Sequence, residues 1–221
     1  SPVLEHIIQR VRLSEHVGDI VIATTFDKSD DIIAELANRL DVNVFRGSSE
    51  DVLGRVTQAA LQSSSEWVIR VTGDNPFVDP RLIDHISISF EENHDYVSNK
   101  FDRTWPVGID ADGFSVSSLE EASEASVNPL DREHITPYYI RNQSNFDTHN
   151  VYISDVYEQS LMKDASDIRL TLDEAKDYLT YQIVCADLED VMCIDTKTLV
   201  QYINQNPEKI MNGSITQRTH F

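Results

Sequence analysis

From its first residues the chain alternates amphipathic helical stripes with short apolar runs rich in β-branched residues. This restricts it to folds in which helices cross between the strands of a sheet. Val3, Leu4, Ile7, Ile8 and Val11 recur at helical spacing, and Ile20 to Thr24 is a run suited to a strand covered on both faces. Asp30 and Asp31 place acids at the positive end of a helix carrying Ile32, Ile33, Leu36 and Leu40, and Val42 to Phe45 reads as the next strand. After a break at Gly47 to Ser49, Glu50 and Asp51 lead a helix bearing Val52, Leu53, Val56, Ala59 and Ala60, and Trp67 to Val71 returns as a strand. Three such rounds predict an α/β fold, with right-handed crossovers and a mostly parallel sheet flanked by helices on both faces.

Asp79 and Pro80 then start a helix through Phe90, with the carboxylate as cap and the proline where its missing N–H costs nothing. Tyr96 to Ser98 reads as a strand, and the pattern loosens from Asn99 to Gly113, where Trp105 packs in a loop. Helices are expected over Ser117 to Ala125, Pro129 to Arg141, Glu174 to Ala186 and Thr196 to Asn204, with a strand over Asp167 to Leu172. The length of 221 residues suits one domain, 1–221, with a substrate-side elaboration around 99–153.

The balance of 38 acidic against 18 basic residues, a formal charge of −20, repels phosphates except where a local cation or metal reverses the field, and argues against nonspecific nucleic-acid binding. No apolar run approaches the ~20 residues needed to span a bilayer, and there is no signal-peptide order at the start. Cys185 and Cys193 match neither a zinc knuckle nor a redox pair, so ordinary reduced thiols and a cytoplasmic location are expected.

The segment VIRVTGDNPFVDP, Val68 to Pro80, carries the most chemical information. Ligands in open α/β sheets bind at the carboxyl ends of strands, so Asp74 is delivered to the expected place, and Gly73 lets a ligand approach the backbone. Asp173 ends the expected strand IRLTL in the same manner, so the two carboxylates can converge at one rim of the sheet. Mg²⁺ takes one or two carboxylates and completes its shell with substrate phosphates and water. Asp74 also reads as a simple strand-end turn, and Asp173 as the N-cap of the helix from Glu174.

Several short motifs in order resemble the cytidylyltransferases of the spore-coat polysaccharide biosynthesis type, relatives of the sialic-acid and Kdo activating enzymes. They are PVLEHIIQRV at Pro2, IVIATT at Ile20, FRGSSEDVLGR at Phe45, VTGDNPFVDP at Val71, YVSN at Tyr96, PVGID at Pro106, REHITPYYIRN at Arg132 and RLTLDEAKD at Arg169. The resemblance implies a fold like the GT-A glycosyltransferases and attack of a sugar oxygen on the α-phosphorus of a nucleoside triphosphate, CTP being favoured, with release of pyrophosphate. It implies Asp74 and Asp173 as catalytic, Mg²⁺-binding aspartates. It places Arg46, Gly47, Ser48 and Asp51 in the base-recognition loop, with Gly73 beside the nucleotide and Arg55 one turn on. Asn99, Gly108, Asp110, Arg132, Glu133, His134 and Arg141 would face the sugar, with Arg132 or Arg141 holding its anion. Ser48 to Asp51 equally makes a helix start, and the 132–141 cluster a charged helix face. Ala111, Asp112 and Gly113 depart from the family's acidic, β-branched run. Homodimers are common in that family.

Family members begin with a strand and a loop rich in Arg, Ser, Pro, Gly and Lys that wraps the triphosphate, and this chain begins beyond it. The 6 lysines and 12 arginines are scattered, and no later stretch offers such a cradle. The expectations are a longer natural product, weak catalysis by the chain as given and an unpaired edge beside Ile20 to Thr24. Rival readings are a GT-A glycosyltransferase and a non-catalytic binding homologue; the single acid in TGDNP, against a DxD-like motif, favours the nucleotidyltransferase.

Overall fold

Helix α1, Val3–Val11, turns Ile7 and Ile8 inward and leads to strand β1, Val21–Thr25. This and all that follows come from a computed structural model describing residues 1–158, 162 and 164–210. Helix α2, Asp31–Arg39, carries the chain to β2, Asn43–Gly47, which lies parallel to β1 from Val21↔Asn43 to Thr25↔Gly47. Helix α3, Val52–Ser63, precedes β3, Trp67–Arg70, and α4, Pro80–Ser89, precedes β4, Tyr96–Ser98. The Asp79 side chain caps α4 by accepting the Arg81 N–H at 2.9 Å, as the Asp-Pro pair predicts.

The mostly parallel sheet is corrected. Two small sheets form, β1-β2 and a mixed sheet ordered β3-β5-β4-β6, in which β5 is Asp112–Ser115 and β6 is Thr148–Asn150. Within the mixed sheet, strand β5 runs antiparallel to both neighbours, and β4 and β6 pair in parallel. Among the described residues β1 and β3 share no ladder.

Strand β5 went unread because Asp112 and Gly113 are poor strand formers. Tertiary context overrides that preference. Asp112 lies opposite Arg70 on one side and Ser98 on the other, and a side chain at Gly113 would collide with Phe90 and Ile86.

Helix α5, Val116–Ala125, follows, and the helix expected over Pro129 to Arg141 proves to be two: α6, Pro129–His134, and α7, Thr136–Arg141. Pro137 lacks the N–H to continue the ladder and would press on the carbonyl of Glu133, so the chain breaks at Ile135, whose φ is +62°. A single turn, α8, spans Ile153–Val156, and α9 and α10 span Ala175–Asp187 and Thr196–Gln205. The strand expected over Asp167 to Leu172 reduces to one bridge, Val107↔Arg169.

One apolar core joins Leu82 and Ile86 of α4, Val97 of β4, Trp105, Ile109, Val184 of α9 and Leu199 of α10. A second gathers Leu53, Tyr96, Phe114, Leu119, Tyr139 and Phe146. Trp105 is fully buried, its indole N–H donating to the Val151 carbonyl at 3.0 Å. Arg10, also buried, donates to the carbonyls of Val78, Val191, Met192 and Ile194 at 2.8–3.0 Å, tying α1 to the segment before α10.

Gly108 has φ +98°, and a Cβ there would run into the backbone of Leu170 and Thr171. Gly108→Ala combines left-handed strain with overpacking, so a loss of roughly 2–4 kcal/mol is expected in urea unfolding. A loss below about 0.5 kcal/mol would mean that the 170–171 segment yields freely.

Candidate active site

Beyond β3 the chain continues through Thr72 and Gly73 to Asp74, whose half-buried carboxylate is held from two directions. The Thr72 hydroxyl donates to one oxygen, and the Thr171 hydroxyl to the other at 3.4 Å. Hydroxyls orient the carboxylate without neutralising it. Gly73 is exposed, with nothing within 4 Å of where a Cβ would stand. Next to Asp74, buried Asn75 donates its amide to the Asp110 carbonyl at 3.3 Å.

The second aspartate arrives on an extended segment laid along this one. Val107 N–H donates to Ile168 O at 2.8 Å, Leu170 N–H to Val107 O at 2.6 Å and Leu172 N–H to Asp74 O at 2.9 Å. Every second residue turns its backbone to that edge, so the side chains of Arg169, Thr171 and Asp173 share a side. Thr171 touches Asp74, and Arg169 pairs with Asp173. The two aspartates thus stand on adjoining backbone segments, Thr171 touching the carboxylate of one and Arg169 that of the other.

Asp173 is not the cap of α9. Glu174 holds that position, and buried Asp177 accepts the N–H groups of Asp173 at 2.9 Å and Glu174 at 2.8 Å. Asp177 also accepts from Arg169 at 3.0 and 3.3 Å. Burial pushes its carboxyl up, but the Arg169 guanidinium and the two N–H groups outweigh that and hold it below the usual range.

As a cation site the pair fits one donor set. No group of three or more His, Cys, Asp or Glu able to cage a metal occurs among the described residues. Two hard carboxylates with the rest of the shell left to ligand and water match Mg²⁺.

The 46–51 loop lies after β2. Arg46 is spent on structure, donating to Thr25 O at 2.7 Å and Asp27 O at 2.9 Å and pairing with Asp31 at 2.6 Å. The Ser48 hydroxyl accepts the N–H groups of Glu50 and Asp51 at 3.2 Å, and Arg55 donates back to the Ser48 carbonyl. Asp51 caps α3 through Gly54 N–H at 2.9 Å and pairs with Arg132, which also donates to Ser123 O at 2.5 Å. A side chain at Gly54 would clash with Asp51, and one at Gly47 would press on Arg55. Burial raises the Asp51 carboxyl, and Arg132 and Gly54 more than offset this, leaving it lowered. Ser48, Asp51, Val127, Pro129, Arg132 and Glu133 line an open pocket of about 630 Å³.

The structure therefore brings part of the expected base-reading loop together with two residues expected at the sugar. Arg132 is committed to Asp51, and Arg141 is paired with Asp131, so each of these guanidiniums already holds a carboxylate. Glu133 and His134 are exposed, 4.0 Å apart. Asn99 is buried, donating to Ile109 O at 2.7 Å and accepting Ala111 N–H at 3.2 Å, so it shapes the loop that carries Gly108 and Asp110. Asp110 pairs with Arg103 at 2.6 and 3.3 Å.

Sequence reasoning missed Thr72, Thr171, Arg169 and Asp177; the acid three positions after Glu174 was a readable capping signal. It also missed the network around Asp112. That buried carboxylate accepts from Tyr96 at 2.7 Å, Ser98 at 2.9 Å, Lys100 at 2.6 Å and Arg70 at 3.4 Å. Burial pushes its carboxyl up, but Lys100 and Arg70 prevail and leave it lowered. A lowered folded value means that its stability contribution is complete above the unfolded value, about 3.9, and is lost as pH falls through the folded one. Urea midpoints should therefore fall as pH drops below about 4, and Asp112→Asn should flatten that slope; an unchanged slope would show that Asp112 does not titrate with unfolding.

The cytidylyltransferase family model matches residues 1–210. The chain is 34% identical over 220 residues to the uncharacterized protein MJ1063 of Methanocaldococcus jannaschii, covering 99% of this chain and 86% of that protein. It is 30% identical over 211 residues to the spore coat polysaccharide biosynthesis protein SpsF of Bacillus subtilis, covering 93% and 84%. A solved cytidylyltransferase from Leptospira borgpetersenii serovar Hardjo-bovis superimposes with a TM-score of 0.88 at 30% identity, over 97% of this chain and 88% of that one. With the family model spanning nearly its whole length, the chain belongs to the cytidylyltransferase family.

Proposed function

We propose that this protein is an Mg²⁺-dependent cytidylyltransferase on a GT-A-like fold, transferring CMP from CTP to a sugar, a 2-keto sugar acid in the first instance, for a surface polysaccharide or glycan. An acceptor oxygen attacks the α-phosphorus of CTP, the bond to the β-phosphate oxygen breaks and pyrophosphate leaves. Family membership and the likeness to SpsF support the reaction class and the pathway type. One observation supports the site: the Asp74 carbonyl accepts the Leu172 N–H at 2.9 Å and the Thr171 hydroxyl donates to the Asp74 carboxylate at 3.4 Å, so the segment leading into Asp173 runs along the one that carries Asp74.

In this reading Asp74 and Asp173 hold the ion, and Thr72 and Thr171 keep Asp74 turned toward it. Mg²⁺ bound there supplies neutralisation of charge on the phosphoryl oxygens. The open face at Gly73 admits the nucleotide, and the Gly47 to Asp51 turn offers backbone groups to the base. The Asn99 to Asp110 loop faces the sugar, and an acceptor anion reaches Arg132 or Arg141 by exchanging with the carboxylate already there. The test is pyrophosphate release by the natural protein with CTP and Mg²⁺, against a panel of 2-keto sugar acids and sugar phosphates. Release dependent on one acceptor is expected. Turnover of a finished nucleotide sugar without pyrophosphate would indicate a glycosyltransferase, and binding without turnover a non-catalytic homologue.

A further inference from the structure

We propose that Arg169, anchored by the buried carboxylate of Asp177, is the positioning residue that sets the Asp173 side chain for a divalent cation. This rests on the reading that Asp74 and Asp173 share that ion.

The Asp177 side chain is 0% exposed and accepts from both terminal nitrogens of Arg169 and from the N–H groups of Asp173 and Glu174, so it cannot turn without breaking several bonds. Arg169 is thereby fixed, and its Nη2 reaches the Asp173 carboxylate, which keeps 42% of its surface open. A planar guanidinium holds two carboxylates in a fixed fork, which the freely rotating ammonium of lysine does less firmly.

The consequence is electrostatic as well as geometric. Asp74 and Asp173 belong to adjoining backbone segments, Leu172 N–H donating to the Asp74 carbonyl at 2.9 Å, and two carboxylates that share one ion repel each other before it arrives. A cation on one oxygen of Asp173 relieves that repulsion and fixes the direction of the other. Hydrogen-bonded partners behind ligating carboxylates orient them, and losing one typically lowers metal affinity about 10–100-fold.

The test uses the full-length protein with CTP and Mn²⁺ as the probe, free Mn²⁺ being followed by electron paramagnetic resonance. The double variant Arg169→Gln/Asp177→Asn removes both charges together, so no buried charge is stranded, and the asparagine oxygen can still accept the Asp173 and Glu174 N–H groups. It should melt near the wild-type temperature yet bind Mn²⁺ about 10–100-fold more weakly, which a purely structural pair would not do. Arg169→Lys should lose a smaller part of the affinity.

Asp74→Asn is the control. If Asp74→Asn loses Mn²⁺ binding while the folded double variant binds like wild type, the positioning role is overturned and the site reading stands. If Asp74→Asn binds Mn²⁺ as tightly as wild type, the site reading itself is overturned and the proposal with it. Should the double variant fail to fold, Arg169→Lys decides: wild-type affinity there overturns the role.

Discussion

Replacing Asp74 by asparagine is expected to lower CTP-dependent pyrophosphate release by about 10²–10³-fold, the scale on which one stabilising group is lost from a transition state. The melting temperature should move by no more than about 2 °C, corresponding to about 0.5–1 kcal/mol at most in a chain of this size. The reason for the split lies in the contacts. Asp74 is half-buried and receives side-chain hydrogen bonds only from Thr72 and Thr171, and an asparagine oxygen still accepts from either hydroxyl. The bond that joins the two site segments comes from the Asp74 carbonyl, which the substitution leaves untouched. What disappears is the negative charge, which on the proposed reading serves a cation and not the fold. Steady-state kinetics and a thermal melt check both halves, and a large drop in melting temperature with activity retained would make Asp74 a structural turn residue.

Asp79→Ala is expected to do the reverse, costing about 3–5 kcal/mol of stability and lowering the melting temperature by roughly 10 °C. Asp79 is fully buried. Besides capping α4, it accepts from the Tyr157 hydroxyl at 2.5 Å, the Thr196 N–H at 3.0 Å and the Thr196 hydroxyl at 2.5 Å, binding the start of α4 to the start of α10. Losing the cap costs about 1 kcal/mol, and each donor stranded without a partner about 1–3 kcal/mol. Asp79→Asn keeps an acceptor oxygen and should fall between alanine and wild type in a thermal melt followed by circular dichroism. A cost for alanine under about 1 kcal/mol would mean that water reaches this hub.

These two aspartates, five residues apart, illustrate what could be read before the fold was known. Asp79 sits before proline and a helical stripe, a local signal complete in itself, and its cap was legible; its long-range partners Tyr157 and Thr196 were not. Asp74 and Asp173 were legible as acids delivered by apolar runs. Their neighbours on the same edge were hidden, because Thr171 and Arg169 acquire their roles only when the 168–172 segment takes its register against Val107 and Asp74.

The same distinction governs the elements. Helices declared themselves through period and caps, whereas β5 was obscured by an aspartate and a glycine that only the assembled sheet makes acceptable. The run ending at Leu172 had the composition of a strand but, among the described residues, joins no ladder beyond its bridge to Val107 and one bond to Asp74. Arg132 and Asp51, 81 positions apart, read as two separate sites and form one ion pair.

The account depends on Asp74 and Asp173 acting on a shared ion at the triphosphate, and a crystal structure of the natural protein grown with CTP and Mn²⁺ addresses it directly. Anomalous scattering should place manganese with a carboxylate oxygen from each aspartate and oxygens of the triphosphate in its shell. Manganese held by the nucleotide with either aspartate turned away, or bound elsewhere on the protein, would contradict it.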